Sequence, residues 1–209
     1  MRVRVHQHVN PLAPFYRVLP PPFEIEEAFA APDFPLHLDI GAARGRFLLK
    51  MAEIERQTNF LGLEIRAPLV AEANQLASEK NLTNLRYEFC NAGFALDDFL
   101  EKLPVGILQT VTIQFPDPWY KKRHAKRRMV NEELVEAVVK HLKISGRIFI
   151  KTDVDFLAEE MFALFRARKN LREIEQRENP FPVKTEREIA VEEKGLPIYR
   201  AAFEKTEQR

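Results

Sequence analysis

Leu36-His37-Leu38-Asp39-Ile40-Gly41-Ala42-Ala43-Arg44-Gly45-Arg46-Phe47 is the stretch on which the fold turns. A short apolar run enters a turn with two glycines, and the amphipathic segment 45–56 follows, so the reading is strand, tight turn, helix. Outward from it the pattern repeats. Runs rich in β-branched or aromatic residues stand at 60–65, Leu85–Phe89, 109–115 and 147–151, with helix-like segments at 67–80, 131–142 and 154–168. Near-continuous apolar strands alternating with helices predict a mostly parallel sheet covered on both faces, a doubly wound Rossmann-like α/β domain. Beyond residues 171–177, the segment 198–204 reads as one closing antiparallel strand at or near the edge.

Upstream the composition changes. Half of the 14 prolines fall between Pro11 and Pro35, among them Pro20-Pro21-Pro22. Proline fixes φ and removes a donor, so regular helix and central strand are not expected there. Residues 1–35 read as a proline-rich N-terminal arm, and residues 36–209 as the domain. A chain of 209 residues suffices for one good core. Its formal net charge of +1 gives no global signal for nucleic acid, so any such signal must come from where the charges sit. The single cysteine, Cys90, excludes an internal disulfide and suits a reducing compartment. Charges stand where a signal peptide needs an apolar core, and no apolar run approaches the roughly 18 residues of a membrane span. A soluble, cytoplasmic protein with no membrane partner is expected.

In doubly wound sheets ligands sit beyond the carboxyl ends of the strands. At the first exit, Gly41 and Gly45 permit a tight turn and close approach of a ligand, but neither G-x-G-x-x-G nor G-K-[ST] is present. Asp39 would repel a pyrophosphate and suits a cation such as S-adenosylmethionine; a plain turn with a solvated aspartate fits the same residues. At the second exit Glu64, 25 residues after Asp39, is placed to accept from ribose hydroxyls. At the third, Asn91 offers an amide that can read an adenine edge or simply serve a turn. The fourth exit, Phe115-Pro116-Asp117-Pro118-Trp119-Tyr120, runs into Lys121-Lys122-Arg123-His124-Ala125-Lys126-Arg127-Arg128. Two prolines hold Asp117 in a preset backbone, and aromatic planes beside a basic run suit looped or single-stranded RNA.

That fourth block closely resembles the hallmark of bacterial tRNA (guanine-N7)-methyltransferases, which are class I S-adenosylmethionine-dependent enzymes. The resemblance extends over 39–45, 62–69, Lys151-Thr152-Asp153 and 185–200, and to Gln7-His8-Val9-Asn10-Pro11-Leu12 in the arm. It implies that Asp39, Glu64, Asn91 and Asp117 contact the cofactor; as a carboxylate held by two prolines, Asp117 is also the candidate catalytic residue. It implies that Lys121, Asp153 and the segment Thr185, Glu186, Arg187, Glu188 contact tRNA, the target being a guanine of the variable loop. The chain departs from the family pattern twice. Ala43 stands where the loop usually has a glycine, and Arg187 where the family usually has tyrosine; its guanidinium plane can stack in the ring's place. Other readings stay open: Thr185 and Glu188 form a Thr-x-x-Glu capping box, and Asp153 an N-cap. A class I methyltransferase on another substrate would share the first two exits, and a non-catalytic RNA-binding module would share the basic run. No metal is expected, His6 and His8 alone being too few ligands, and monomer and homodimer are both compatible with the sequence.

Overall fold

The computed structural model describes residues 9–20 and 22–207. In chain order the elements are α1 (Ile25–Ala28), β1 (Leu36–Ile40), α2 (Arg46–Ile54), β2 (Asn59–Glu64), α3 (Ala67–Glu79), β3 (Leu85–Phe89), α4 (Ala92–Leu100), β4 (Leu108–Gln114), α5 (Glu132–His141), β5 (Arg147–Thr152), α6 (Asp155–Arg166), β6 (Leu171–Ile174), α7 (Glu186–Glu192) and β7 (Tyr199–Lys205). Among the described residues seven strands form one sheet in the order β3-β2-β1-β4-β5-β7-β6. The pairs among β1 to β5 are parallel, and β7 runs antiparallel to both β5 and β6. The expected single antiparallel strand is thus β7, one place in from the edge.

Every residue of β1 and β2 is buried, as two covered faces require. The strand order reverses beside β1, between β2 and β4, and the crevice at that switch point opens at the carboxyl ends of these strands. One apolar cluster gathers α4, α5, α6 and the strands they cover; a second gathers α2, α3, Phe60, Leu85 and Tyr87.

The structure corrects two expectations. Helix α4 is absent from the sequence reading, because Gly93 in its first turn weakens the helix signal; the structure also breaks it at Ala95 (φ −131°, ψ 25°). The proline-rich segment, where no regular helix was expected, also holds short helical turns. Pro14–Tyr16 forms a 3-10 turn and α1 one helical turn between prolines. Phe23, Ile25 and Phe29 are buried in the first cluster, with Phe23 and Phe99 rings 5.2 Å apart. His6, His8 and the beginning of the arm motif lie outside the described residues. No helix among the described residues is long and apolar enough to cross a membrane.

Candidate active site

A cavity of about 1310 Å³ opens at the ends of β1, β2 and β4. Its walls include Asp39, Gly41, Glu64, Asn91, Asp117, Lys121, Asp153, Thr185, Glu186 and Arg187. Ten of the twelve residues singled out from the sequence therefore share one space. Gly45 and Glu188 are not in its wall.

Asp39 is buried and accepts on Oδ1 from Thr112 Oγ1 at 2.6 Å and Gln114 Nε2 at 3.1 Å. Burial raises its proton affinity above the ordinary carboxylate value; the two hydrogen bonds and the charge of Lys151 oppose that rise. The turn after it is left-handed at Gly41 (φ 87°), Ala43 (φ 51°) and Gly45 (φ 71°). Ala43 adopts that conformation without being glycine, which costs roughly 1 kcal/mol, and its N–H donates to Glu64 Oε2 at 2.9 Å. A Cβ on Gly45 would lie 2.5 Å from the Tyr87 ring, so the glycine makes room for that packing.

Glu64 is engaged on both oxygens. Besides Ala43 it accepts from the Arg66 N–H at 3.0 Å, Nε at 2.8 Å and Nη2 at 3.3 Å. A ribose hydroxyl reaching this carboxylate would share it with, or displace, the Arg66 guanidinium. Asn91 is engaged too: its Nδ2 donates to the carbonyls of Pro11 at 3.0 Å and Tyr16 at 3.1 Å. The amide fastens the arm against the cavity wall, and the arm contributes Pro11, Leu12 and Arg17 to the lining.

The loop after β4 carries two further left-handed residues, Phe115 (φ 51°) and Trp119 (φ 47°). Asp117 is exposed on it and faces the cavity. Arg127 stacks over the Trp119 ring at 5.0 Å, and His124 meets its edge at 5.7 Å. Lys121, Lys122, Arg123 and Lys126 are exposed. Arg128 is turned inward. It donates to the Pro118 carbonyl at 3.0 Å and the Trp119 carbonyl at 3.4 Å, and pairs with Glu160. The basic run thus divides into solvent-facing cations and one internal brace.

On the opposite wall Asp153 pairs with Arg187, and Glu186 with Arg46. Asp153 is not the cap of α6; that position is Val154, with no side-chain cap bond. Thr185 does cap α7, its hydroxyl accepting from Glu188 N–H at 3.1 Å. Glu188 does not complete a capping box. It is fully buried, where it accepts from Lys151 Nζ at 2.5 Å and Arg200 Nη2 at 2.9 Å. Burial would raise its pKa, but the Lys151 and Arg200 bonds outweigh that and hold it low. Glu188 is therefore the anchor of α7 on β5 and β7, which presents Thr185, Glu186 and Arg187 to the cavity.

A family model described as "Putative methyltransferase", Methyltransf_4, matches residues 33–201. The tRNA (guanine-N(7)-)-methyltransferase of Trichormus variabilis is 52% identical over 207 residues, covering 97% of this chain and 96% of its own. That of Synechococcus elongatus is 52% identical over 209 residues, with 97% and 96% covered. The chain belongs to the tRNA (guanine-N7-)-methyltransferase family. Among solved structures, the aminoglycoside resistance methyltransferase NpmB1 superimposes with a TM-score of 0.56 at 17% identity, over 87% of this chain and 92% of that one. A 30S ribosomal A1408 methyltransferase gives 0.56 at 18% identity, over 87% and 91%. At such identity these two speak for the shared fold alone.

The sequence reading missed the residues that hold the candidate ones. Thr112 and Gln114 carry Asp39, Arg66 occupies Glu64, and Lys151 with Arg200 locks Glu188. A signal existed for the first group. Polar residues at every second place on buried β1 and partly buried β4, His37 and Asp39 beside Thr110, Thr112 and Gln114, line one face of the sheet at its middle. Arg66 had none, since an arginine after a strand reads as surface.

Proposed function

We propose that this chain transfers a methyl group from S-adenosylmethionine to N7 of a guanine in tRNA, in the variable loop as the family resemblance implies. Residues 36–209 form the methyltransferase domain in this reading and 1–35 the arm; the setting is the cytoplasm. The carrying observation is the cavity itself, where Asp39, Glu64 and Asp117 converge under a loop that also bears Trp119, Lys121 and Arg127.

The donor set fits the cofactor. Buried Asp39 suits its cationic amino-acid end, Glu64 its ribose hydroxyls, and Gly41 leaves the backbone open, a Cβ there meeting only Met129 at 3.7 Å. When bound, S-adenosylmethionine supplies an electrophilic methyl group on a positively charged sulfur. Guanine N7 carries a lone pair in the neutral base, so no residue is required to remove a proton first. The work of the chain is placement and charge. Asp117 and Asp153 face the cavity from two walls, and either carboxylate can accept from guanine N1–H and its amino group. An adenine lacks that donor pair, so the same contact discriminates between the purines. Lys121 and the exposed cations of the loop pair phosphates, and Trp119 offers a stacking plane.

The test is an assay with purified protein, methyl-labelled S-adenosylmethionine and unmodified tRNA transcripts, read by nucleoside mass spectrometry. Label is expected in 7-methylguanosine. Asp117→Ala is expected to lose at least about tenfold in turnover, or roughly 1.4 kcal/mol of transition-state stabilisation. Turnover near the parent level would remove Asp117 from the mechanism, and the absence of labelled 7-methylguanosine in every tRNA would overturn the reading.

A further inference from the structure

We propose that His37 is a positioning residue for the cofactor site, its ring N–H fixing the Thr112 hydroxyl so that Thr112 donates to Asp39. The proposal rests on the reading that Asp39 contacts the cofactor. His37 stands two places before Asp39 on β1, hence on the same face, and Thr112 is the register partner of Asp39 on β4. All three residues are buried.

A threonine hydroxyl has one proton to give. Thr112 Oγ1 lies 2.6 Å from Asp39 Oδ1, 3.5 Å from the Leu38 carbonyl and 3.1 Å from His37 Nε2. The short contact to a carboxylate takes the proton. Oγ1 then meets His37 as an acceptor, which assigns the imidazole proton to Nε2. The ring is boxed by aromatic neighbours, with centroids of Phe60 and Phe181 both at 5.3 Å and that of Phe47 at 6.1 Å. Burial pulls the basicity of His37 down to about 3, so the imidazole is neutral at physiological pH and offers one fixed donor.

The relay has a purpose because Thr112 has an alternative acceptor. Without the N–H of His37 holding one lone pair, the hydroxyl turns more freely toward Leu38. Asp39 Oδ1 then keeps Gln114 as its partner and loses the shorter bond. The carboxylate is oriented by two donors on one oxygen, and misalignment of a buried acid in a preorganised site lowers affinity for what it binds.

The experiment is calorimetric titration of the full chain with S-adenosylmethionine, for the parent, His37→Phe, Thr112→Val, the double variant and His37→Gln. His37→Phe and Thr112→Val are each expected to weaken binding about fivefold to tenfold, the scale of one buried hydrogen bond. The double variant is expected to match the worse single one, because the two residues act in series. His37→Gln, which keeps a side-chain donor, is expected to recover affinity to within about twofold of the parent. Parent-like affinity in both single variants, or losses that multiply in the double, overturns the relay and leaves the cofactor reading standing. A parent that does not bind the cofactor overturns both. The tautomer is read independently by ¹⁵N NMR of the imidazole in the parent, needing no variant to fold; a proton on Nδ1 instead of Nε2 overturns the proposal.

Discussion

Tyr87 fills the space that Gly45 leaves open. Its hydroxyl donates to the Gly45 carbonyl at 2.5 Å, and its ring also occupies the place where a Cβ on Gly62 would stand. One aromatic side chain of β3 therefore clamps the turn after β1 and the middle of β2. Gly45→Ala is expected to cost about 3 kcal/mol, from a left-handed backbone and a clash that cannot relax cheaply. Gly106 is the control, with φ 83° and nothing within 4 Å of a Cβ; Gly106→Ala should cost only about 1 kcal/mol. Denaturant unfolding compares them, and equal costs would refute the clamp.

Acid should test His37 as a stability element. Its folded-state basicity is lowered to about 3 from 6.5, so between those values the unfolded chain binds a proton that the folded chain refuses. Stability attributable to His37 is complete above pH 6.5 and falls as pH drops toward 3, by up to about 1.4 kcal/mol per unit. His37→Gln should flatten the stability–pH curve by close to one proton over roughly pH 4–6. A parallel curve in the variant would show that the imidazole titrates normally.

Arg128 and the solvent-facing cations should separate in a salt titration of tRNA binding. Arg128→Ala removes the brace on Pro118 and Trp119, so turnover should drop about tenfold while the salt slope stays. Lys122, Arg123 and Lys126 changed together to alanine should reduce the slope by about two to three, one for each phosphate left without its cation. A slope change in Arg128→Ala would place its guanidinium on phosphate instead.

Arg187 tests the departure from the family pattern. Its pair with Asp153 is at the surface on the arginine side, so Arg187→Ala should alter stability by less than about 1 kcal/mol. The KM for tRNA should nevertheless rise several-fold, and Arg187→Tyr should restore it. An unchanged KM in Arg187→Ala would leave Arg187 as a surface residue without a part in recognition.

The architecture was legible because the strands of the parallel core are short segments rich in apolar residues, spaced by helical segments, and each exit is a distinct cluster. Asp39, Glu64 and Asp117 were picked out because ligands of such sheets sit beyond the carboxyl ends of the strands, and the family resemblance supplied the roles expected of them. Helix α4 was hidden by the glycine in its first turn, and the turn of α1 by the prolines around it. Side-chain partnerships were hidden for a different reason. Glu188 reads as a capping residue from its spacing, and only the crossing of α7 over β5 and β7 brings Lys151 and Arg200 to it. Asn91 reads as a turn residue until the chain folds back 75 and 80 residues to meet it.

That return of the arm orders events in time. Residues 11–20 leave the ribosome well before Asn91 and Lys102, whose side chains grip the carbonyls of Pro11, Tyr16 and Pro20. Such contacts wait on the closure of a long loop, so the segment that is synthesised early is fastened late. It becomes a wall of the cavity only after β3 and α4 exist to receive it, which makes its docking a marker that the first half of the domain has assembled.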